Sequence, residues 1–158
     1  MGKFVKGINQ VVHILLVLLM VVLVVTVFCQ IGSRFVLGQP LVWTEELSRY
    51  SMIWMTFLGA AYAISIRAHI GMELLVDRLQ GVTKQVLIII ASIISLIFFV
   101  LMVTEGFSLS MRVMDQPSAV LQIPMGIVYS IIPISGVILV INLIDTTIKQ
   151  LKQEVSAK

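Results

Sequence analysis

The sequence is poor in charged residues. Asp, Glu, Lys and Arg together account for 12% of its 158 residues, whereas a soluble domain typically carries about 25%. Apolar residues account for 59%, and the mean hydropathy is +1.07. Because so few charges cannot cover a water-facing surface, the composition excludes an ordinary soluble domain. The length corresponds to one domain, and we predict that its apolar side chains face lipid.

Cysteine and histidine are also scarce, which limits the possible chemistry. The single cysteine, Cys29, can form no disulfide within the chain, and no Cys/His spacing typical of a metal site occurs. The only histidines, His13 and His69, both fall on the predicted cytoplasmic side, which argues against paired haem ligands and a Ser/His/Asp set. No glycine-rich phosphate loop is found. We therefore predict a protein that is not an enzyme and that binds no cofactor or metal.

Four runs lack Asp, Glu, Lys and Arg, and about 20 apolar residues suffice to cross the hydrocarbon core as a helix. The runs cover 7–33, 50–66, 85–104 and 116–144. The first is too long for a signal-peptide core, so we interpret it as a retained helix. The second is the shortest, but Arg49 and Arg67 flank it and their stems can reach the interfaces. The sequence thus predicts one all-α membrane domain over residues 1–158, with four transmembrane helices at about 8–32, 44–66, 85–112 and 122–147.

Three residues predict how the helices begin and bend. Thr44 is suited to cap the second helix, with acidic residues in the first turn. Pro124 suits the first turn of the fourth helix. Pro133 lies inside that helix and predicts a kink near residues 129–133, since proline cannot donate the backbone hydrogen bond.

Lysine and arginine predict the orientation in the membrane. The two tails and the loop between helices two and three carry eight such residues: Lys3, Lys6, Arg67, Arg78, Lys84, Lys149, Lys152 and Lys158. The opposite side carries three: Arg34, Arg49 and Arg112. By the positive-inside rule both termini are cytoplasmic, and this placement explains the net charge of +3 without a nucleic-acid partner. Apolar residues at helical spacing in the segment 67–84 predict a short interfacial helix there.

The faces of the helices suggest different neighbours. Helix one is almost entirely Val, Leu, Ile and Met up to residue 25, which favours lipid contact. The other three helices carry pairs of small residues four apart, which let helices approach closely in lipid: Gly59 with Ala63, Ala91 with Ser95, and Gly126 with Ser130. These pairs serve either packing within the chain or contact with another membrane protein. The same two interpretations hold for the aromatic side of helix two: Trp43, Tyr50, Trp54 and Phe57.

The start of helix two is unusually polar. Glu45 and Arg49 have the favourable i,i+4 order, but such an exposed pair contributes only about 0.3–0.5 kcal/mol. Stability is thus a poor reason for this polarity, and recognition of a partner outside the membrane is the functional interpretation. The interiors of the four predicted spans lack the ionisable residues that a transport site usually needs. Glu105 follows the uncharged run 85–104 and falls near the outer interface, where helix three continues beyond that run.

On these residues the chain resembles the small membrane subunit, of DctQ type, of tripartite ATP-independent periplasmic (TRAP) transporters. The first matching stretch is 43–73, with its Trp, Glu-Glu pair, Arg-Tyr, second Trp, Phe-Leu-Gly-Ala-Ala and His-Ile followed by an acid. The second is Ile123-Pro124-Met125 with Tyr129 and Pro133. The resemblance covers the whole chain in length and helix number.

The resemblance implies a multi-pass protein of the bacterial inner membrane that scaffolds a large multi-span subunit, with lipid around it. That large subunit would hold the substrate and sodium sites, and a periplasmic binding protein would deliver an organic acid such as sialic acid or a dicarboxylate. Residues expected at the subunit contact or anchoring helix two are Trp43, Glu45, Glu46, Arg49, Trp54, Gly59 and Ala63. Arg67 and His69 would anchor its cytoplasmic end, and Arg34 and Arg112 would contact the binding protein.

Two other classes of function remain open at this point. A stand-alone homo-oligomeric four-helix channel or exporter would need a polar stripe through the membrane, which the sequence lacks. A membrane assembly factor would associate with a large transporter subunit only transiently. The sequence names neither the transported acid nor the number of complexes that associate.

Overall fold

The computed structural model describes residues 2–36, 38–39, 41–66 and 82–156, and all regular elements in these ranges are helices. They are α1 (Gly2–Val36), α2 (Val42–Ser65), α3 (Val82–Arg112), the short α4 (Met125–Tyr129) and α5 (Ile131–Ser156). The interfacial helix predicted in the segment 67–84 falls mostly outside the described residues. Arg67 and His69 also lie outside them.

Three stretches are long and apolar enough to cross a membrane: Gly2–Val36, Thr83–Arg112 and Met125–Leu151. The fourth long helix, α2, has 24 residues, which at 1.5 Å per residue gives a length of about 36 Å. It is less apolar than the other three because its N-terminal part is charged and its middle is rich in small and hydroxyl residues. The structure thus contains three candidate spans and a fourth helix of sufficient length.

The long helices lie in a row rather than in a closed bundle. Helix α2 packs on α1 on one side and on α5 on the other, and α5 packs on α3. Helices α1 and α5 touch over a smaller area, whereas α1 and α3 share no substantial interface within the described residues. The order in space is therefore α1, α2, α5, α3, which leaves α1 and α3 at the two edges.

The two edge helices expose most of their apolar side chains. In α1 the exposed residues include Leu18, Val21 and Val25, and in α3 they include Ile94 and Ile97. Such surfaces are compatible with lipid tails, which are as apolar as leucine. This exposure agrees with the lipid contact predicted for helix one and extends it to α3.

The buried side of α2 follows a seven-residue repeat. Thr44, Ser51 and Leu58 are buried seven residues apart, and Ala61 and Ile64 continue the same side. A seven-residue repeat holds one side of a helix against nearly parallel neighbours. Most of these side chains are small, so the backbones of α1 and α5 can come close to α2.

The helix ends differ in part from the predictions. Helix α2 begins at Val42, and Leu41, not Thr44, is its N-cap residue. The prediction for Thr44 was wrong because its hydroxyl lies within the first turn and donates to the carbonyl of Leu41 at 2.6 Å. The backbone break between α4 and α5 falls at Ser130, inside the region where Pro133 predicted a kink.

Candidate functional site

The polar start of α2 has two sides with different environments. Glu46, Tyr50 and Trp54 are spaced four residues apart and therefore lie on one side of the helix. All three contact the segment that joins α3 to α5. Glu45 and Arg49 lie on the other side and are exposed. Of the predicted contact or anchoring residues, the structure thus brings Glu46 and Trp54 together, with Tyr50 between them, and turns Glu45 and Arg49 outward.

The Glu46 carboxylate closes the loop of residues 113–124, which is called the outer loop below after the side of the membrane predicted for it. One oxygen, Oε2, accepts hydrogen bonds from the backbone N–H groups of Val120 and Leu121, each at 2.9 Å. The other, Oε1, accepts one from the Tyr50 hydroxyl at 2.5 Å. The two amides at the loop tip are thereby satisfied by a charged acceptor, which makes stronger hydrogen bonds than a neutral one.

The loop itself is internally braced. The Ser118 amide donates to the Ile123 carbonyl at 2.9 Å, and the Ile123 amide donates to the Ser118 hydroxyl oxygen at 3.1 Å. Gln122 adopts the left-handed backbone conformation, with φ at 54°. Residues other than glycine rarely adopt this conformation. Glu46 thus holds a loop of defined shape rather than a loose connection.

Trp54 lies on the same side of α2, one turn after Tyr50, and binds this side of the helix to α4. Its indole N–H donates to the backbone carbonyl of Val128 in α4 at 3.1 Å. This carbonyl belongs to a one-turn helix that ends at the break before α5, where helical partners for carbonyls are few. The contact therefore anchors α2 to the start of the last helix.

The hydrogen bonds around Glu46 stabilise its charged form. Glu46 precedes the uncharged run 50–66. The hydroxyls of Tyr50 and Ser118, followed by the amides of Leu121 and Val120, lower the pKa of the Glu46 carboxyl from 4.5 to about 2, against a smaller opposing effect of burial. Hydrogen bonds donated to a carboxylate favour ionisation in this way. Glu46 is therefore ionised throughout the physiological range.

The exposed side of α2 forms a stripe that is polar near the N-terminus of the helix. The stripe, called the α2 stripe below, consists of Val42, Glu45, Arg49, Met52, Thr56 and Ala60. Within it the Arg49 guanidinium pairs with the Glu45 carboxylate at 2.9 Å, and more than half of each side chain is exposed. Compared with the exposed sides of α1 and α3, the α2 stripe offers smaller and more polar groups.

The remaining predicted residues are scattered. Trp43 is 42% exposed beside the α2 stripe. Gly59 and Ala63 are half-buried, and a Cβ added at Gly59 would meet only Leu16 at 3.9 Å. Arg34 and Arg112 are both exposed, in the last turns of α1 and α3. Nothing in the described residues joins these two arginines into one site.

Helices approach each other closely at glycines such as Gly126 and Gly136, of which the sequence patterns identified only the first. A Cβ added at Gly126 would lie 2.5 Å from the carbonyl oxygen of Ser110, and one at Gly136 would lie 2.7 Å from Val103. The Ser110 hydroxyl also donates to the Gly126 carbonyl at 2.5 Å. Gly126 belongs to a predicted small-residue pair, whereas Gly136 does not. The pairs thus identified one of these two contact points between α3 and the last two helices.

Sequence reasoning missed a buried amide cluster that joins three helices. The Asn9 and Asn142 side chains exchange two hydrogen bonds, at 2.7 and 2.9 Å. Asn142 also donates to the Ala61 carbonyl at 2.8 Å, and Asn9 donates to the Val5 carbonyl at 3.0 Å. Both asparagines are nearly inaccessible to solvent. One asparagine inside each of two apolar runs was a signal for such a cluster, because buried amides need partners.

The polar contacts between distant parts of the chain join helices and hold the outer loop. In the described parts of the chain, no group of three or more His, Cys, Asp or Glu side chains could hold a metal ion. The same residues contain no buried side-chain nitrogen or oxygen without a hydrogen-bond partner. The buried side-chain polar groups of the described residues thus already have partners, some within one helix, as for Thr26 and Ser135, and others between helices or in the outer loop.

Comparison with known proteins gives a consistent assignment. Residues 23–153 match the family model "Tripartite ATP-independent periplasmic transporters, DctQ component". The chain is 30% identical over 146 residues to the ectoine TRAP transporter small permease protein TeaB of Halomonas elongata, covering 91% of this chain and 76% of that protein. It is 30% identical over 107 residues to the sialic acid TRAP transporter small permease protein SiaQ of Vibrio cholerae, covering 68% and 62%.

A third relative is a longer protein. The isethionate TRAP transporter permease protein DctMQ of Oleidesulfovibrio alaskensis is 27% identical over 113 residues. The matched region covers 70% of this chain but only 18% of that protein. A region similar to this chain is thus one part of a much larger polypeptide there.

Proposed function

Since the chain belongs to the DctQ family of TRAP transporters, a family of multi-pass inner-membrane permease subunits, we propose that it scaffolds a large membrane subunit during solute uptake. Uptake is driven by sodium that binds in the large subunit. The solute is an organic acid, such as sialic acid or a dicarboxylate, that a periplasmic binding protein delivers. The chain itself is not catalytic and binds no cofactor.

The α2 stripe is the observation that carries this proposal. Glu45, Arg49 and Thr56 expose polar groups on a helix that lies between two others in the row. The Thr56 hydroxyl is satisfied by the Met52 carbonyl at 2.8 Å, whereas the charged groups of Glu45 and Arg49 can make further hydrogen bonds that lipid tails cannot supply. Small residues such as Ala60 favour close approach of another helix. The stripe is therefore suited to a membrane protein partner. We assign Trp43, Glu45, Arg49, Gly59 and Ala63 to this contact.

Glu46 and Trp54 have a different role in the proposal. Their polar atoms contact the outer loop and α4 within the chain. They anchor α2 so that the α2 stripe keeps its position relative to α5. Arg67 and His69 anchor the cytoplasmic end of the same helix, and Arg34 and Arg112 contact the binding protein.

The longer relative supports the association with a large subunit. If a region similar to this chain is part of one polypeptide with a much larger permease, the two parts must lie in the same membrane at equal stoichiometry. A separate small subunit would need a non-covalent contact to achieve the same arrangement. The α2 stripe is the surface that we propose for this contact.

We also propose that α2 crosses the membrane as the fourth span, with both termini in the cytoplasm. Helix α2 packs lengthwise between α1 and α5, so it lies at the same depth as these two candidate spans. Lys3, Lys6 and Lys149 lie at the end of the helices where α1 begins. Arg34 and Arg112 lie in the last turns of α1 and α3, at the opposite end of the helices. Over the whole sequence, eight lysines and arginines fall on the first side and three, including Arg49, on the other, and this excess favours the first end as the inner one.

Substrate choice is assigned to the partner proteins. The names of the relatives given above mention three different solutes: sialic acid, ectoine and isethionate. Small subunits of one family thus occur with chemically different solutes. We propose an organic acid for this transporter and assign its selection to the large subunit and the binding protein.

Co-expression with the large subunit tests the proposal. Arg49→Glu places a third negative charge at the start of α2 and should reduce both co-purification of the large subunit and uptake. Glu46→Gln serves as a comparison because this carboxylate contacts the outer loop within the chain. Unchanged co-purification and uptake with Arg49→Glu would remove the α2 stripe from the contact. Solute transport by the purified chain alone in liposomes would favour the homo-oligomeric channel or exporter instead.

A further inference from the structure

An open cleft of about 710 Å³ lies between the start of α1 and the last part of α5. Its lining consists of Gly2, Lys3, Phe4, Lys6 and Lys149. Three ammonium groups thus border one open space, and no carboxylate is among the described residues that line it. Collecting like charges costs free energy unless an anion offsets their repulsion.

The charges in the cleft are only partly neutralised within the chain. Lys149 pairs with Asp145, one helical turn away. Lys3 and Lys6 are exposed, and neither has a carboxylate partner in the described parts of the chain. The cleft therefore keeps an excess of about two positive charges.

The buried asparagines hold these charges together. Lys6 lies three residues before Asn9, about 4.5 Å along α1, and Lys149 lies seven residues after Asn142, about 10 Å along α5. Because Asn9 and Asn142 are joined by two hydrogen bonds, the two cationic helix ends cannot slide apart. The position of the cleft is thus fixed by a satisfied polar contact in the core.

Apolar side chains continue from the cleft along both helices. Phe4 is 71% exposed and Val11, two turns further along α1, is 58% exposed. Ile148 and Ile144 are exposed at the same end of α5. Cationic groups at the helix ends followed by exposed apolar residues match an amphiphile whose head is anionic and whose tail is hydrocarbon.

We propose that this cleft binds the phosphate headgroup of an anionic phospholipid, with the lysines on the phosphate and an acyl chain along Phe4 and Val11. Basic pockets between helices on the cytoplasmic side commonly bind such headgroups. This assignment relies on the membrane orientation proposed above. The bound lipid would connect α1 to α5 where they share only a small interface.

Lipid titration of the purified full-length chain in an uncharged detergent tests this site. Native mass spectrometry would count bound phosphatidylglycerol and phosphatidylcholine with identical acyl chains. The wild type should prefer phosphatidylglycerol, and Lys3→Gln/Lys6→Gln should reduce this preference about 25-fold, at about fivefold per lysine. Arg34→Gln/Arg112→Gln removes the same number of positive charges at the opposite end of the helices. It should change the preference for phosphatidylglycerol less than twofold.

Two outcomes would overturn the lipid assignment. Equal losses in both double variants would show a general charge effect rather than a site. Competition by soluble glycerol phosphate at the same concentration as the lipid would show a soluble phosphate site. Because the titration uses no partner protein, its failure is distinct from a failure of assembly, which co-purification of the large subunit measures separately.

Discussion

Asn9 and Asn142 exchange two hydrogen bonds between the first and last long helices although 133 positions separate them in the sequence. Both amides are buried beside apolar residues, and Asn142 also binds the Ala61 carbonyl of α2. Within lipid, an unpaired amide is costly, so helices that carry one each are driven to meet at a single register. This pair therefore specifies how α1, α2 and α5 align.

Replacing one member of the pair should destabilise the fold more than replacing both. Asn142→Leu leaves the Asn9 amide without its partner and should lower the free energy of unfolding by about 1–3 kcal/mol. Asn9→Leu/Asn142→Leu removes both polar groups and should restore part of that loss. Unfolding in mixed detergent micelles at increasing dodecyl sulfate measures all variants. A double variant that loses the sum of the two single losses would contradict the proposed coupling.

Glu46→Gln should loosen the outer loop. The neutral amide oxygen is a weaker acceptor for the amides of Val120 and Leu121 than the carboxylate, so these amides should exchange with deuterium faster. Glu45→Gln is the matched control because Glu45 is on the exposed side and pairs only with Arg49 in the described structure. Equal exchange in the two variants would mean that Glu46 does not hold the loop.

The effect of Glu46 should depend on pH only in acid. Its pKa is lowered from 4.5 to about 2 in the folded state, so its ionised form stabilises the fold fully above pH 4.5. This contribution is lost as the pH falls from 4.5 towards 2. The difference in melting temperature between wild type and Glu46→Gln should therefore be constant from pH 8 to 5 and shrink below 4.5. A difference that already changes between pH 7 and 5 would contradict the low pKa.

The sequence predicted the helices better than their arrangement. Long uncharged runs are direct evidence for helices in lipid, because every backbone group must be paired there. The break before α5 was also predictable, since Pro133 lacks the backbone donor that a continuous helix needs. The order of the helices in the row was not predictable, because it depends on which faces meet. Asn9 and Asn142 mark two of those faces, but no local rule states that they pair with each other.

The candidate site shows the same division between local and distant contacts. The pairing of Glu45 with Arg49 follows from i,i+4 spacing and is present. The contact of Glu46 with Val120 and Leu121 joins positions more than 70 residues apart and follows from no sequence pattern. The sequence places Glu45 and Glu46 next to each other, whereas the structure gives their side chains different surroundings, because adjacent helical positions point about 100° apart.

Two glycines with the same sequence signature should respond differently to alanine. Both Gly126 and Gly59 precede a small residue by four positions, but only Gly126 lies against a neighbouring backbone, with the added Cβ 2.5 Å from the Ser110 carbonyl oxygen. Gly126→Ala must push α3 and α4 apart and should cost about 1–3 kcal/mol, as overpacking typically does. Gly59→Ala meets only Leu16 at 3.9 Å and gains helix propensity.

The two substitutions thus test whether close approach, rather than the spacing of small residues, determines packing in this chain. Gly59→Ala should leave unfolding in mixed micelles unchanged or shift it to higher denaturant, whereas Gly126→Ala should shift it to lower denaturant. If Gly59→Ala leaves the isolated chain stable, as expected, and also reduces co-purification of the large subunit, Gly59 contacts that partner. Similar destabilisation by both substitutions would mean that spacing alone is sufficient and that α1 lies closer to Gly59 than the side chain of Leu16 indicates.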